Sequence, residues 1–227
     1  MTQVIIFDKD GTLFDFQATW GHWTGMVIDQ LSGGAADMHA ALCAALEYDN
    51  GARELRPGSV VIAGTPVEIC DAIGQVMQTA TPDGLLQVLV DMADQAPQVP
   101  IVPLGPVMQK LRDMGFKLAV MTNDVEQSAK VHLGAAQSLG LFDMVVGSDS
   151  GFGAKPTPDP LLAICTHLGC DPAASWMVGD STHDMHAGQA AGMRTIGVLT
   201  GPASRAVLGP FATAVLDDIS HIPAYFA

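Results

Sequence analysis

The sequence predicts an α/β fold in which a doubly wound parallel sheet is interrupted by a helical insertion. Short apolar runs alternate with helical patterns over residues 101–199, and small, polar or acidic residues bound each run. Strands buried on both faces of a parallel sheet have this continuous apolar character, whereas half-exposed strands alternate. Residues 14–98 break the rhythm with successive helical patterns. The chain is therefore predicted to contain a sheet domain and an inserted helical domain.

The predicted strands and helices of the sheet domain follow one another in βαβα order. Each helical pattern is followed by glycine, which commonly ends a helix. Such short connections place helices on both faces of a Rossmann-like sheet, and ligands bind beyond the carboxyl ends of its strands. The strands are expected at residues 4–7, 117–121, 144–147, 176–178 and 195–199, and the helices at 105–114, 128–139, 158–168 and 184–191.

The insertion is predicted to be mostly helical. Glycine and proline residues separate its helical patterns, and no series of strands is expected in it. Its helices are predicted at residues 16–31, 35–46, 65–78 and 82–95. The resulting domains are an α/β core of residues 1–14 and 99–227 and a helical domain of residues 15–98.

The composition disfavours several classes of protein. Of the 227 residues, 48% are apolar and 15% are charged, which favours a chain with a core over a disordered one. The 10 basic and 24 acidic residues give a net charge of −14, which disfavours a nucleic-acid partner. The cysteines lack zinc-site spacing, and the sequence shows neither a secretory signal nor an apolar stretch of membrane-spanning length. A soluble cytoplasmic protein without a membrane partner is expected, and the sequence does not distinguish a monomer from a dimer.

Two aspartates one residue apart follow the first predicted strand, in the segment DKDGT. The Asp8 carboxylate can act as a nucleophile if a cation offsets its charge. Asp10 projects to the same side of an extended chain and can exchange a proton with a leaving group and then with water. A turn or cap at a strand end is the alternative, but two buried carboxylates need a compensating ligand, which favours the chemical interpretation.

Phosphate-binding groups are predicted after two further strands. The Thr122 hydroxyl and the backbone N–H groups of the turn at Asn123 can bind phosphate oxygens, although Thr-Asn at a strand end is more often a helix cap. Lys155 is one of only 10 basic residues and lies in a loop before a helix. It can pair with the nucleophile and with a phosphate, although a solvated loop lysine is the simpler alternative.

A pair of metal-ligating carboxylates is predicted in the segment GDSTHD. Asp180 ends a predicted strand, and Asp184 follows in the next turn. Carboxylate oxygens are ligands that Mg²⁺ prefers, so Asp180 would ligate directly, while Asp184 would ligate or orient a bound water. Helix capping by Asp180 or Ser181 is the alternative, and it is compatible with this role.

Together these segments resemble the haloacid dehalogenase superfamily of phosphohydrolases, and more closely its phosphoglycolate-phosphatase-like branch. The resemblance is carried by DKDGTLF at Asp8, MTND at Thr122, KPTPDPLL at Lys155 and GDSTHDM at Asp180. DxDGT and GDxxxD together at strand ends are highly specific. The resemblance covers the sheet domain, and the helical insertion matches the helical cap of the family in position and type.

The resemblance implies a mechanism. Asp8 would attack phosphorus and form an aspartyl-phosphate, while Asp10 would protonate the leaving alcohol and then activate water. The carboxylates of Asp8 and Asp180 and the backbone carbonyl of Asp10 would hold Mg²⁺, and Asp184 would support its water shell. Thr122 and Lys155 would bind the phosphoryl group with help from the Asn123 backbone.

The expected function is therefore Mg²⁺-dependent hydrolysis of a small phosphorylated metabolite, similar to phosphoglycolate or a sugar phosphate. A phosphomutase, which returns the phosphoryl group to a sugar, stays an alternative, as does a phospho-accepting regulatory module without turnover. Lys9 departs from the apolar residue that is commoner at this position. Its side chain either adds a cation near the site or points away.

The cap carries no motif that identifies the substrate. Trp20 and Trp23 share a helix face and suit core packing at least equally well. The arginines suit either a substrate carboxylate or solvent. The candidate substrate residues are Thr19, Trp20, His22, Trp23, Arg53 and Arg56.

Overall fold

A computed structural model describes residues 2–78 and 84–227 of the chain. The chain forms two compact units. The unit that we call the sheet unit consists of Met1–Asp15 and Val99–Ala227, and the unit that we call the helical unit consists of Phe16–Gln98. The helical unit is thus inserted after the first strand of the sheet unit.

The described residues contain the following strands and helices. The strands are β1 (Val4–Phe7), β2 (Tyr48–Asp49), β3 (Glu54–Leu55), β4 (Lys117–Met121), β5 (Met144–Val146), β6 (Trp176–Gly179), β7 (Arg194–Val198) and β8 (Ala214–Leu216). The α-helices are α1 (His22–Ser32), α2 (Ala36–Ala45), α3 (Val60–Ala63), α4 (Pro66–Met77), α5 (Leu85–Ala93), α6 (Leu104–Asp113), α7 (Glu126–Ala135), α8 (Asp159–Leu168), α9 (Thr182–Ala190), α10 (Arg205–Leu208) and α11 (Ile222–Phe226).

The sheet unit is built on one parallel sheet with the strand order β5-β4-β1-β6-β7-β8. Its central strands are continuous apolar runs because both faces of the sheet are covered. Along β1, Ile5 and Phe7 join one hydrophobic core, and Val4 and Ile6 join another. Helices α6, α7 and α11 contribute to the first core, and α8 and α9 contribute to the second. This arrangement confirms the predicted doubly wound α/β fold.

The sequence pattern locates most of the strands and helices of the sheet unit and misses β8, α10 and α11. All five predicted strands and all four predicted helices are present, with ends shifted at several of them. Strand β8 is absent from the prediction. Its residues are only half-buried, and it pairs with β7 alone at the end of the sheet. A short edge strand has no continuous run of buried apolar residues, so the sequence pattern does not reveal it. Its pairing with β7 identifies it in the structure.

The helical unit has its own hydrophobic core, to which α1, α2, α4 and α5 contribute. A π-helical turn, Gln17–Gly21, precedes α1 within the predicted helix at 16–31. Strands β2 and β3 form an antiparallel hairpin that the sequence prediction of a mostly helical insertion missed. Each strand has only two residues, which is too few for a periodic signal. The predicted start at Pro82 of the last helix lies outside the described residues.

Several helices begin or end with recognisable capping residues. Helix α4 begins with a capping box in which the Thr65 hydroxyl accepts from the Glu68 N–H while the Glu68 carboxylate accepts from the Thr65 N–H. Helices α1 and α8 end at Gly33 and Gly169, which adopt the left-handed conformation. Within residues 2–78 and 84–227, no helix combines the length and the apolar character needed to cross a membrane.

Neighbouring leucines on α8 provide a test of its packing. Leu161 is fully buried in the second core, whereas Leu162 is 37% exposed. We expect Leu161→Ala to lower the free energy of unfolding by about 2–5 kcal/mol, because the truncation leaves a cavity. Leu162→Ala should cost less than about 1 kcal/mol. Urea unfolding followed by circular dichroism measures both changes, and equal losses would contradict the packing of α8 on the sheet.

Candidate active site

The carboxyl ends of β1, β4 and β6 meet at one edge of the sheet, because β4 and β6 are the hydrogen-bonded neighbours of β1. The order of the strands reverses direction at β1: β4 and β5 lie on one side of it, and β6, β7 and β8 lie on the other. Such a switch point is where ligands bind in open α/β sheets. The residues that directly follow these strands are Asp8, Thr122 and Asp180.

Lys155 joins two of the predicted site residues. Its ammonium nitrogen lies 2.6 Å from Asp8 Oδ1 and 2.7 Å from Asp184 Oδ1, and its side chain is buried. Burial alone would lower the pKa of a lysine, but these two carboxylates raise the pKa of Lys155 above its usual value. Lys155 is thus a buried, charged group of this cluster, and the alternative of a solvated loop lysine is wrong.

The Asn123 side chain holds the backbone of Lys155 in place. Its amide nitrogen donates to the Lys155 carbonyl over 2.9 Å, and its amide oxygen accepts from the Lys155 N–H over 2.9 Å. A side-chain amide that pairs in both directions fixes a loop in the way that a backbone pair would. Asn123 therefore ties the end of β4 to the lysine loop, in addition to the phosphate contact predicted for its backbone.

Asp8, Asp180 and Asp184 form a cluster of carboxylates. Each presents an oxygen atom, and these three atoms lie within 4.8 Å of one another. The N–H and hydroxyl of Ser181 donate to Asp184 Oδ2 over 3.0 and 2.7 Å, in the capping box that begins α9. Because Lys155 occupies Oδ1, both Asp184 oxygens carry hydrogen bonds. This suits a residue that orients a metal-bound water better than one that ligates directly.

Negative charge exceeds positive charge in this cluster, and the pKa values reflect the imbalance. Burial, reinforced by the Asp184 and Asp10 carboxylates, raises the pKa of Asp8 to about 7, although Lys155 opposes the shift. Burial and the carboxylates of Asp8 and Asp184 also raise the pKa of Asp180 well above its usual value. A cation among these oxygens would relieve the repulsion and keep the carboxylates charged. The donor set therefore fits a divalent metal ion.

Glycines allow the backbone to approach two of these carboxylates closely. A Cβ atom at Gly201 would lie 1.6 Å from Asp180 Oδ2, and one at Gly179 would lie 2.2 Å from Asp184 Cγ. Gly11 has a φ of 80°, and its Cβ would lie 2.4 Å from Asp180 Oδ2. Side chains at these positions would displace the carboxylates, so the glycines help to set the shape of the site.

The Thr122 side chain has one hydrogen-bonding role within the protein and retains the capacity for another. Its hydroxyl oxygen accepts from the Asp124 N–H over 3.1 Å, and its backbone N–H donates to the Val146 carbonyl over 3.0 Å. A hydroxyl that accepts one bond still has its own proton to donate. The placement of Thr122 beside the end of β1 is compatible with the phosphate-binding role predicted for it.

Lys9, whose orientation the sequence does not decide, has a fully buried side chain. Its ammonium nitrogen lies 2.8 Å from Asp10 Oδ2, 3.3 Å from Asp124 Oδ2 and 2.9 Å from His132 Nδ1. Burial alone would lower the pKa of a lysine, but Asp10 and Asp124 raise the pKa of Lys9 above its usual value. Burial raises the pKa of Asp124 to about 6, an effect that Lys9 opposes.

Sequence reasoning assigned no role to Asp124 or His132. Asp124 follows the predicted phosphate-binding turn directly, but a local pattern does not reveal its partner. His132 lies four residues after Ser128, and both are on the buried face of α7. Two polar residues at helical spacing among buried apolar ones are the signal that could have identified this face.

Three of the candidate substrate residues have packing roles within the helical unit. Trp20 and Trp23 lie in its core, with ring centroids 5.1 Å apart at an interplanar angle of 81°. The Trp23 indole N–H donates to the Leu89 carbonyl over 3.3 Å. The Thr19 hydroxyl is buried and donates to the Pro97 carbonyl over 2.8 Å. These contacts account for the burial of all three side chains.

The remaining candidates, His22, Arg53 and Arg56, are exposed. Arg56 forms an ion pair with Asp49 over 3.2 Å. The substrate contacts predicted for all six candidates stay predictions, because the contacts described for them lie within the helical unit.

A sequence model of the family described as haloacid dehalogenase-like hydrolase matches residues 5–198 of the chain. The chain belongs to the haloacid dehalogenase-like hydrolases. The match includes both the cluster of charged groups at the sheet edge and the helical unit. The probable phosphatase IndB of Dickeya dadantii is 31% identical over 210 residues, which cover 88% of this chain and 83% of that protein. These findings confirm the resemblance stated above.

Other relatives of this haloacid dehalogenase-like hydrolase are named as phosphatases, and they match over shorter segments. A phosphoglycolate phosphatase of Aquifex aeolicus is 38% identical over 94 residues, which cover 41% of this chain and 44% of that protein. A pyrophosphatase PpaX of Bacillus velezensis is 31% identical over 119 residues, which cover 51% of this chain and 55% of that protein. The matched segments thus span about half of these two relatives. Together with the longer match to IndB, these relatives confirm the prediction of a phosphatase.

Solved structures of the haloacid dehalogenase-like hydrolases support the fold over the whole chain. A predicted phosphoglycolate phosphatase from Haemophilus somnus 129pt has a TM-score of 0.74 at 20% identity, with 100% of this chain and 98% of that chain covered. A HAD phosphatase from Thermococcus onnurineus has a TM-score of 0.69 at 19% identity, with coverage of 100% and 98%. At this level of identity the likeness concerns the fold alone.

Gly201→Ala tests the close approach of the backbone to Asp180. We expect the variant to lose about 1–3 kcal/mol of unfolding free energy, because the methyl group would overlap a buried carboxylate. Thermal unfolding measures the change.

Gly134→Ala is the matched control. A Cβ atom there would meet no neighbouring atom within 4 Å, and the residue lies in α7. Alanine favours a helix over glycine by up to about 1 kcal/mol, so this variant should be unchanged or more stable. A Gly201→Ala protein as stable as the Gly134→Ala protein would show that the backbone does not crowd Asp180.

Proposed function

We propose that the protein is a Mg²⁺-dependent phosphomonoester hydrolase that acts on a small phosphorylated metabolite through an aspartyl-phosphate intermediate. The observation that carries this proposal is the buried Lys155 ammonium, which is paired with both Asp8 and Asp184 beside Asp180. Phosphoryl transfer depends mainly on positioning and on neutralisation of charge. A buried lysine and three clustered carboxylates at a sheet switch point supply the groups for both.

Asp8 is the proposed nucleophile. One of its carboxylate oxygens attacks phosphorus, and the new O–P bond forms as the bond from phosphorus to the leaving oxygen breaks. Lys155 offsets the charge of the carboxylate and of the phosphoryl oxygens during this step. The 2.6 Å contact between the ammonium and Asp8 Oδ1 supports this role, because it holds the nucleophile in one orientation.

Asp10 is the proposed general acid and base. It gives a proton to the leaving oxygen in the first step, so that the product departs as a neutral alcohol. In the second step it takes a proton from the water that attacks the aspartyl-phosphate, which regenerates Asp8 and releases phosphate. A positioned general acid or base of this kind contributes about 10²–10⁴-fold in rate.

The carboxylates of Asp8 and Asp180 and the backbone carbonyl of Asp10 are the proposed direct ligands of Mg²⁺. Asp184 would orient a bound water, since both of its oxygens already carry hydrogen bonds. When bound, the ion would neutralise charge on the phosphoryl oxygens. The clustered oxygens and the raised pKa values of Asp8 and Asp180 support a cation at this position.

Thr122, Asn123 and Lys155 are proposed to bind the phosphoryl group. The Thr122 hydroxyl retains a proton to donate, and the Asn123 backbone N–H begins the turn after β4. The Asn123 side chain holds the Lys155 backbone through two hydrogen bonds of 2.9 Å, which supports a fixed position for the lysine.

Residues 15–98 are proposed to act as the cap that selects the substrate. Their position in the chain after β1 is that of the helical cap of the family, and the candidate contacts are the six residues named above. Two of the relatives are a phosphoglycolate phosphatase and a pyrophosphatase, and the compounds in these names are small. We therefore propose a substrate of this size, and location in the cytoplasm stays a prediction from the sequence.

Asp10→Asn tests the proposed chemistry. We expect kcat on 4-nitrophenyl phosphate with Mg²⁺ to fall by about 10²–10⁴-fold, because hydrolysis of the aspartyl-phosphate loses its general base. Asp8→Asn should remove activity, since no nucleophile remains. The release of nitrophenolate measures both effects, and Asp113→Asn on the exposed surface of α6 should behave as the wild type.

A metabolite panel distinguishes this proposal from its alternatives. Wild-type protein should release phosphate from at least one of the monoesters phosphoglycolate, glucose 1-phosphate and glucose 6-phosphate. Interconversion of the two glucose phosphates without net release would identify a mutase. Stable phosphorylation of Asp8 without turnover would identify a regulatory module. Absence of both phosphate release and phosphorylation would contradict the proposed function.

Asp180→Asn tests the proposed metal site independently of activity. We expect the variant to melt at or above the wild-type temperature in EDTA, because the substitution removes repulsion among the buried carboxylates. Mg²⁺ at about 100 times its dissociation constant should raise the wild-type melting temperature by roughly 5–10 °C and leave that of Asp180→Asn unchanged. Asp113→Asn should keep the full increase. An equal increase in all three proteins would place the ion elsewhere.

A further inference from the structure

Lys9 links β1 to the segment that follows β4. It directly follows Asp8, and its ammonium nitrogen lies 2.9 Å from His132 Nδ1 on α7 and 3.3 Å from Asp124 Oδ2. An ammonium group only donates, so Nδ1 of His132 must accept. Lys9 is thereby held by two groups that come from a part of the chain more than 100 residues away in sequence.

The same ammonium group faces the proposed acid and base. Its nitrogen lies 2.8 Å from Asp10 Oδ2 and 3.0 Å from Asp10 Oδ1. The Lys9 side chain is fully buried, and only 12% of the Asp10 side chain is exposed. The terminal torsion of an aspartate has a broad energy minimum, so contact with both oxygens is an effective way to restrict rotation of the carboxyl group.

Stability alone does not explain a charged cluster here. A buried charge is costly to desolvate, and well-packed apolar residues of similar volume are often neutral or stabilising replacements for buried ion pairs. Apolar residues in place of the whole cluster could fill this space, whereas replacement of Lys9 alone would leave the buried Asp124 carboxylate without its counter-charge. The presence of Lys9 between Asp10 and two anchoring groups therefore favours a reason connected with the orientation of Asp10.

We propose that Lys9, anchored by Asp124 and His132, is a positioning residue that fixes the Asp10 carboxyl group in the orientation needed for proton transfer. This inference rests on the proposed function. Asp10 gives its proton to the leaving oxygen as the bond from phosphorus to that oxygen breaks and the bond to Asp8 forms. Lys9 neither gains nor loses a proton in this step, and it does not touch the substrate.

The role of Asp10 as an acid affects the departure of the leaving group only where the leaving oxygen needs a proton. The 4-nitrophenolate group is weakly basic and departs without one, whereas an alkoxide does not. The kcat/KM value reports the steps up to departure of the leaving group, so it isolates the contribution of Asp10 as an acid from its later contribution as a base. A comparison of aryl and alkyl esters therefore separates misplacement of Asp10 from general damage to the site.

Lys9→Met is the direct test, because methionine has a similar length and no charge. The probes are 4-nitrophenyl phosphate and whichever of benzyl phosphate and phosphoglycolate the wild type hydrolyses faster. We expect kcat/KM to fall by about 10- to 100-fold on the alkyl ester and by less than about threefold on the aryl ester. The ratio of two values from one preparation is independent of the folded fraction, so partial misfolding does not produce this result.

Substitutions of His132 test whether it anchors Lys9. They also keep the inference testable if the Lys9→Met protein does not fold. His132→Leu removes the acceptor and should reproduce the selective loss on the alkyl ester. His132→Asn supplies an oxygen acceptor near the position of Nδ1, so it should retain most of the wild-type kcat/KM value on the alkyl ester. Lys130→Met is the matched control, because Lys130 is on the same helix, is 42% exposed and pairs with Glu126. It should match the wild type on both esters.

The outcomes separate this inference from the proposed function. An alkyl-to-aryl ratio within about twofold of the wild type in both Lys9→Met and His132→Leu would overturn the positioning role, whether or not the absolute rates fall. Hydrolysis of only the aryl ester by the wild type would also count against an oriented acid at Asp10. Failure of the wild type on all of these esters and on every compound of the metabolite panel would instead contradict the proposed function.

Discussion

The ion pairs of the Lys155 ammonium with Asp8 and Asp184 are the interaction on which the rest of the candidate site depends. They join the loop before α8 to the end of β1 and to the first turn of α9. The Asn123 side chain extends the connection to the end of β4 through the Lys155 backbone. One buried lysine therefore connects, through its side chain and its backbone, groups that follow three different strands. Without it, the carboxylates at this edge would repel one another at short range.

The site concentrates negative charge where the fold can tolerate it. Asp8 and Asp180 have raised pKa values because burial and neighbouring carboxylates disfavour their charged forms. The burial of like charges destabilises the fold, and the hydrophobic cores on the two faces of the sheet offset this loss. A bound divalent cation would complete the balance of charge. The same reasoning applies to Lys9, whose buried ammonium balances Asp10 and Asp124.

In the helical unit, the buried candidate residues take part in the packing of that unit. Trp20 and Trp23 contribute to its hydrophobic core, and their edge-to-face contact is of the kind that stabilises aromatic pairs. The other candidates, His22, Arg53 and Arg56, are exposed, and Arg56 pairs with Asp49.

The sequence by itself determined the parallel sheet and the edge at which its polar groups lie. Both follow from local patterns: β1 and β4 are continuous apolar runs, and Asp8 and Thr122 come directly after them. Only the tertiary structure decided that Lys155 is buried and that Lys9 meets His132 across 123 positions of the chain. It also decided the pairing of β8 with β7. A local pattern records the period and burial of one segment, whereas the partner of a charged atom depends on which distant segments the fold brings together.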